Sequence, residues 1–205
     1  MNGRIHLVVD PPFLFNMEIH PDLIARCIKN ERKAQFELYE VCYGLMMQIS
    51  LRYLSNEDDA KALVNQAFLK VCDKIDTYSS EIAFKHWVKR ITINTAIDDY
   101  RKSNNKKAHF VTQDMSESYW ESQMTSINLV EAEMNAESLR ALIQTLPPIS
   151  QQVFNLCVLD GYDYKEVSEM LAVTEATCRW RVHFARKKLQ ELVKITFETE
   201  KQDLI

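Results

Sequence analysis

The stretch YKEVSEMLAVTEATCRWRVHFARKKL, residues 164–189, decides the fold of the C-terminal part of the chain. Its first eight residues predict a short helix that turns Val167 and Leu171 inward. Ala172, Val173 and Thr174 then predict a tight turn. From about Glu175 a second helix carries one apolar stripe at steps of four, three and four residues: Cys178, Val182, Ala185 and Leu189. Two short helices joined in this way are typical of a helix-turn-helix.

The opposite face of the second helix is basic and aromatic. It carries Arg179, Trp180, His183, Phe184, Arg186 and Lys187. Cations of this kind bind phosphates, and long side chains reach base edges when a helix lies in the major groove. The pattern therefore favours DNA binding. A plain helical hairpin with a solvated basic face is the alternative.

The composition of the whole chain predicts an all-α protein. Glycine occurs 3 times and proline 5 times in 205 residues, while 46% of residues are hydrophobic. Good helix formers recur throughout. We find no apolar run of the roughly 20 residues that span a bilayer, so no membrane insertion is expected. The start lacks the features of a signal peptide, and either Met1 or Met17 is the natural start.

Charge is segregated along the chain, although its net value is only −4. Between Lys85 and Lys107 seven lysines and arginines stand against two aspartates, a net charge of +5. Between Thr177 and Lys194 six stand against one glutamate, again +5. Val111 to Glu137 holds six acids and no lysine or arginine. Two basic blocks separated by an acidic one predict two contacts to a polyanion, joined by a flexible linker.

These patterns divide the chain into an N-terminal extension (1–21), a helical domain (22–102), a linker (103–136), a helix-turn-helix domain (137–197) and a tail (198–205). In the first domain one helix face repeats apolar residues at helical spacing: Ala60, Leu63, Val64, Ala67, Phe68 and Val71. Ser55 or Asn56 is placed to cap that helix. A polar loop from Asp76 to Glu81 and a helix from about Ala83 to Lys102 follow, with Asp98 and Arg101 spaced to pair.

The chain resembles extracytoplasmic-function sigma factors in two places. LPPISQQVF (146–154), GYDYKEV (161–167) and TCRWRVHFARKKL (177–189) resemble region 4 of that family, which usually reads LPxxxRxVFxL and GxSYxEIAxxLGxSxGTVKSRLxRARxxL. Residues 56–71 resemble the region 2 helix EDAEDLVQEVFLKV. FKHWVKRITINTAIDDYRK (84–102) resembles FxxWLxxIAxNxAxDxxRR. Both resemblances occur in the family's order.

The resemblance implies roles for three sets of residues, and it implies a non-catalytic subunit that directs bacterial RNA polymerase to promoters. Region 4 is expected to read the minus-thirty-five element through Thr177, Arg179, Trp180, Arg181, His183, Phe184, Arg186 and Lys187. Region 2 is expected to melt the minus-ten element through Tyr78, Ser79, Ser80, Lys89, Arg90, Asn94, Arg101 and Lys102. The polymerase clamp is expected to contact Asp59, Leu63, Val64, Gln66 and Phe68.

The expected partners are core RNA polymerase and promoter DNA, in the cytoplasm, and an anti-sigma factor is left open. Ala62 and Gln66 replace acids that the family usually has on the clamp helix, which leaves open a two-domain DNA-binding regulator that recruits no polymerase. Trp180 and Phe184 depart from the family's usual residues, so its promoter preference does not transfer to this chain.

An enzyme is disfavoured because the sequence carries no glycine-rich phosphate loop, nucleophile elbow or metal-ligand spacing. No cofactor, metal or small-molecule substrate is expected. The five cysteines form no CxxC pair and are expected to be reduced and mostly buried.

Overall fold

The structure of the chain is a computed structural model that describes residues 17, 19–105 and 136–202. Every secondary-structure element in these ranges is helical, which confirms the all-α class. The chain divides into two compact units, with a boundary between Ser103 and Asn104. The predicted N-terminal extension up to residue 16 and nearly all of the predicted acidic linker lie outside the described residues.

The N-terminal unit contains four α-helices: α1 (Pro21–Ile28), α2 (Arg32–Tyr53), α3 (Glu57–Lys74) and α4 (Phe84–Asn105). A 3₁₀ turn, Ile75–Thr77, follows α3. Asn56 caps α3, because its side-chain oxygen accepts a 2.8 Å hydrogen bond from the Asp58 amide. Three acids follow in the first turn, where the helix dipole favours negative charge. The cap that the sequence predicted at Ser55 or Asn56 is therefore Asn56.

The core of this unit forms where one side of each helix is apolar. Ala34, Leu38, Cys42 and Met46 of α2 are fully buried, and Val64, Ala67 and Val71 of α3 are buried in the same cluster. Phe84 and Val88 of α4 complete the cluster. Burying a Val, Leu or Phe side chain stabilises the folded state by roughly 1.5–3 kcal/mol. These contacts fix which side of α3 and α4 remains exposed.

Buried hydroxyl groups extend the inner faces of α2 and α4 beyond the apolar residues. Ser50, Thr92 and Thr95 are almost fully buried. Each hydroxyl donates to the carbonyl four residues earlier, at 2.8, 2.9 and 2.8 Å, so none of these groups lacks a partner. The sequence reasoning did not place them in the core, because threonine reads as polar in a periodicity search.

The C-terminal unit contains α5 (Ala136–Gln144), α6 (Pro148–Phe154), α7 (Tyr164–Leu171) and α8 (Glu175–Gln202). Pro148 occupies the first turn of α6, and a π-helical turn, Asn155–Leu159, extends that helix. The predicted bounds of α7 and the start of α8 are confirmed. The apolar stripe of α8 is buried as predicted: Cys178, Val182, Ala185 and Leu189 are at most 2% exposed.

The corner between α7 and α8 contains a residue in an unfavourable conformation. Ala172 ends α7 with φ 53° and ψ 46°, in the left-handed region. The family pattern usually has glycine here. An L-residue in that region is disfavoured by roughly 1–2 kcal/mol, because Cβ approaches the following carbonyl. The turn is otherwise closed by the Val173 amide, which donates to the Ser168 carbonyl at 3.1 Å.

Replacing Ala172 with glycine is therefore expected to stabilise the C-terminal unit. The relief of the left-handed strain outweighs the greater freedom of glycine in the unfolded chain, with a net gain of about 0.5–1 kcal/mol. Urea denaturation followed by hydrogen exchange of α7 and α8 peptides measures the change. Ala185→Gly is the matched control, since Ala185 is buried within α8 and its loss destabilises. A lower stability for Ala172→Gly would contradict the strain argument.

Candidate nucleic-acid interface

The start of α8 is positioned by a chain of local hydrogen bonds. Asp163 and Glu166 form a capping box on α7, in which each side chain accepts from the other residue's amide at 2.8 and 3.0 Å. Thr174 then caps α8, and its hydroxyl oxygen accepts from the Thr177 amide at 3.1 Å. The hydroxyl groups of Thr174 and Thr177 lie 2.9 Å apart. The predicted DNA contact Thr177 is therefore engaged in holding the helix start.

The exposed side of α8 is opposite its buried stripe. At 100° per residue, Trp180, His183 and Lys187 lie on that side, with Phe184 beside them. Trp180 and Phe184 stack, with ring centroids 5.5 Å apart and an angle of 22° between the ring planes. Both rings are half-buried, and Lys187 is exposed. The structure therefore brings together four of the residues predicted for base or phosphate contact.

Arg179 lies on the flank of α8 that faces α7. It forms a 2.8 Å ion pair with Glu175, and its guanidinium lies 5.5 Å from the centroid of the Tyr164 ring. Burial is the main reason that the pKa of Tyr164 is raised. The Arg179 side chain is still 60% exposed. The sequence position of Arg179 suggests bidentate hydrogen bonding to a guanine. Arg179 can make these bonds only if its ion pair with Glu175 breaks.

Arg181 lies on the other flank and points into its own unit. Its Nη1 donates to the Ser150 hydroxyl on α6 at 3.4 Å, and its guanidinium lies 4.4 Å from the centroid of the Trp180 ring. Ser150 is fully buried. In this conformation the Arg181 side chain connects α8 to α6, and its direct contact with DNA stays a prediction.

In the N-terminal unit, α4 presents part of the predicted region 2 contact. Arg90, Asn94 and Arg101 are exposed and share one side of the helix by their spacing. Lys102 is exposed on another side, and Lys89 is half-buried. The expected Asp98–Arg101 pair is replaced by an ion pair across helices, in which Lys70 Nζ lies 3.1 Å from Asp98. Five predicted residues are thus distributed over more than one face.

The loop before α4 forms one wall of a groove. Tyr78 packs edge-on against Phe84, with centroids 5.0 Å apart, and also contacts Trp87 at 5.5 Å. Its hydroxyl donates to the Ile82 carbonyl at 2.9 Å. Ser79 and Ser80 are exposed. The groove has a volume of about 600 Å³ and is lined by Met17, Ile19, His20, Pro21, Ile24, Tyr78, Ala83, Phe84 and Lys85.

The N-terminal wall of this groove is a feature that the sequence reasoning missed. Five residues of this wall line the same groove as four residues more than 50 positions later in the chain: Met17, Ile19, His20, Pro21 and Ile24 with Tyr78, Ala83, Phe84 and Lys85. Lys85 brings a cationic side chain to the groove, whose lining also includes the imidazole ring of His20 and the aromatic rings of Tyr78 and Phe84. No local periodicity signals such a contact, because it forms only when α1 packs beside the loop.

The expected clamp contacts on α3 separate into two groups. Leu63 and Val64 are 2% and 0% exposed, so they belong to the core and the prediction that they dock a partner is wrong. Phe68 is half-buried against Tyr39, edge-on at 5.0 Å. Asp59 and Gln66 are exposed, as expected for a contact surface. Leu69, which the sequence reasoning did not select, is 65% exposed.

The cysteines occupy interior positions in the described residues. Cys27, Cys42 and Cys178 are buried, and Cys72 and Cys157 are partly buried; all five are free. Burial raises the pKa of Cys42 and Cys157 to about 12, and the pKa of Cys72 and Cys178 to about 11. Protonated thiols are poor nucleophiles and poor metal ligands. Within the described ranges we find no group of three or more candidate metal ligands.

Two comparisons of sequence agree with this architecture. Residues 38–106 match the family model Sigma-70 region 2, and residues 136–189 match Sigma-70, region 4. The chain is 28% identical over 179 residues to the ECF RNA polymerase sigma-E factor of Escherichia coli (strain K12), covering 83% of this chain and 92% of that protein. It is 27% identical over 153 residues to the ECF RNA polymerase sigma factor SigE of Mycolicibacterium smegmatis, covering 74% of this chain and 59% of that protein.

Two solved structures are similar at 18% identity. One is CnrH in complex with the cytosolic domain of CnrY, with a TM-score of 0.44, covering 85% of this chain and 96% of that chain. The other is the sigma factor RpoE in complex with the anti-sigma factor NepR from Bartonella quintana, with a TM-score of 0.47, covering 78% and 98%.

The two family models match in succession and together span more than half of the chain, which defines a transcription initiation factor of the sigma-70 class. Within that class the chain belongs to the extracytoplasmic-function RNA polymerase sigma factors. None of the helices that the structure describes combines the length and the apolar character that crossing a membrane requires.

The burial of the thiols predicts slow modification and a specific pH dependence. In the native protein at pH 8, Cys27, Cys42 and Cys178 are expected to resist iodoacetamide, whereas all five cysteines react in urea. Unfolded thiols ionise near pH 8.5 and the folded ones at higher pH. The unfolded state therefore holds fewer protons above that pH, and the free energy of unfolding should fall as pH rises beyond about 8.5. Mass spectrometry and urea titrations measure both effects; rapid native labelling of Cys42 would contradict the buried assignment.

Proposed function

We propose that this chain binds core RNA polymerase and directs it to promoter DNA, with each unit contacting DNA through the basic face described above. The observation that carries the proposal is the succession of regions 2 and 4 in one chain, each with an exposed cationic surface. Polymerase and promoters lie in the cytoplasm, where the chain is therefore expected to act. Binding of an anti-sigma factor to this chain stays a prediction.

The polymerase contact is assigned to the outer side of α3. Five exposed residues lie within about 80° of one another on that side: Asp59, Ala62, Gln66, Leu69 and Asp73. Leu69, at one edge of this arc, is 65% exposed and supplies the large apolar side chain that a protein interface needs. This side replaces Leu63 and Val64 as the docking surface, since both are buried.

The minus-ten contact is assigned to α4 and the groove before it. Arg90 and Arg101 provide cations for a strand that passes over α4, and Asn94 between them offers an amide for a base edge. The groove adds aromatic walls at Tyr78 and Phe84, with His20 and Lys85 at its margin. A single base extruded from a duplex needs such a combination of apolar walls and nearby positive charge.

The minus-thirty-five contact is assigned to α8 in the major groove. Lys187 and Arg186 bind phosphates and orient the helix, while Trp180, His183 and Phe184 face the bases. Arg179 reads a base only when it leaves Glu175. Arg181 acts indirectly, because it holds Trp180 and α6 in place.

Changing Leu69, the large exposed apolar residue of α3, tests the polymerase assignment. Leu69→Glu should weaken binding to core polymerase by about tenfold or more, because the substitution would bury an unpaired carboxylate in the interface. The folded unit should be unaffected, since Leu69 is exposed. Fluorescence anisotropy of the labelled chain with core polymerase measures the affinity, and transcription in vitro reports the functional loss.

The matched control is Ile28→Glu on α1, another exposed apolar residue at 46% exposure, which should bind polymerase normally. Leu63→Ala should instead destabilise the N-terminal unit by roughly 2–5 kcal/mol, as expected for a core truncation. If wild-type chain binds promoter DNA but not core polymerase, the chain is the DNA-binding regulator that lacks a polymerase contact. Normal polymerase binding by a folded Leu69→Glu variant would reject the α3 assignment alone.

Two substitutions on α8 distinguish residues that bind phosphates from residues that recognise bases. Lys187→Ala should weaken all promoter sequences alike and reduce the salt dependence of binding by about one unit, because one phosphate contact is lost. Arg179→Ala should relax preference at one or two upstream positions without changing that slope. Salt titrations of holoenzyme binding to a panel of upstream variants measure both. A sequence-dependent effect of Lys187→Ala would contradict its assignment to a phosphate.

A further inference from the structure

The exposed side of α8 places an aromatic pair inside a basic surround. By helical spacing Arg179 and Arg186 lie on one side of Trp180 and Phe184, and Lys188 lies on the other. Lys187 follows one turn further along the exposed side. The segment from Thr177 to Lys194 has a net charge of +5. The basic side chains around the rings therefore favour binding to a polyanion, whereas the two rings favour contact with an apolar group of that ligand.

In the major groove one base presents such an apolar group. Thymine exposes its C5 methyl there, while the other exposed groups of all four bases are hydrogen-bond donors and acceptors. Phe184 has no donor or acceptor in its side chain, and Trp180 has a single N–H donor. The pair is therefore poorly suited to hydrogen-bond readout and well suited to contact with methyl groups.

We propose that Trp180 and Phe184 make this sigma factor selective for thymines in the upstream promoter element. The inference rests on the proposed function of α8 and adds the base that it reads. The two rings are centred 5.5 Å apart, which is compatible with contacting methyl groups on neighbouring base pairs. Contact with one methyl group removes the apolar surface of about one carbon atom from water, which should raise the affinity about fourfold.

The ring contacts argue against base stacking on the same residues. Phe184 lies nearly parallel to Trp180, at 22°, and the Arg181 guanidinium lies 4.4 Å from the Trp180 centroid. Both neighbours contact the ring through its face. An unstacked base that stacks on Trp180 would compete with these two neighbours, whereas a methyl group needs only a ring edge. The geometry thus favours duplex readout over capture of a single strand.

Removing the methyl group alone tests the inference without changing the protein. Holoenzyme made from the full chain and core polymerase is first used to select promoters from a library randomised upstream of the start site. Each thymine of the selected upstream element is then replaced by deoxyuridine, which keeps the base pair and removes the methyl. Binding is measured for the wild-type chain and for Phe184→Ala and Trp180→Ala.

The expected result is an upstream element with thymines at two or more positions, at least one of which loses about fourfold in affinity on replacement by deoxyuridine. The same replacement should have no effect on the variant that lacks the ring in contact with that methyl. Lys187→Ala is the control, and it should retain the full deoxyuridine effect.

Four outcomes would overturn the inference. An upstream element without thymine, or one whose thymines tolerate deoxyuridine, overturns it and leaves the proposed sigma function intact. Equal weakening of single-stranded and duplex DNA by Trp180→Ala would assign the rings to base stacking instead. Failure of the holoenzyme to select any promoter overturns both this inference and the proposed function.

Discussion

Burial of one side of α8 determines the surface chemistry of the C-terminal unit. Cys178, Val182, Ala185 and Leu189 lie within about 60° on the helix, and each is at most 2% exposed. A helix held in this way has no rotational freedom, so the residues at 100° to either side become flanks and those opposite become the outer surface. Arg179 and Arg181 on the flanks turn to α7 and α6, and the aromatic rings and Lys187 face outward. The same constraint on α3 buries Leu63 and Val64 and leaves Leu69 exposed.

The features that the sequence predicts well are those with local causes. The bounds of α7 follow from an acid that caps it and a turn that ends it, all within a dozen residues. The cap of α3 and the stripe of α8 likewise depend on neighbours one to eleven positions away. Helical periodicity and capping chemistry act over this range. Both helices of the helix-turn-helix are therefore predicted correctly from the sequence.

The features that the sequence does not predict depend on distant contacts. The hydrogen bond from Arg181 to Ser150, 31 positions earlier, has no local signal in the sequence. Lys70 of α3 forms an ion pair with Asp98 of α4. The spacing of Asp98 and Arg101 along α4 therefore did not predict the partner of Asp98. The apolar stripe on α3 includes residues that the resemblance assigns to the clamp contact, and periodicity alone does not separate a core face from a docking face. Only burial does so, because an apolar stripe looks the same against either neighbour.

The link between Ser150, Arg181 and Trp180 bears on how such a protein can change over evolution. Trp180, which we propose faces the bases, is packed against Arg181, a residue that connects two helices. Replacing Trp180 removes the ring that Arg181 lies over, and replacing Arg181 removes the partner of a buried hydroxyl group. Drift in promoter preference at position 180 is therefore tied to positions 181 and 150. Among related proteins, a substitution at only one of positions 150, 180 and 181 should be rarer than simultaneous substitutions. Promoter recognition should then change in large steps and not gradually.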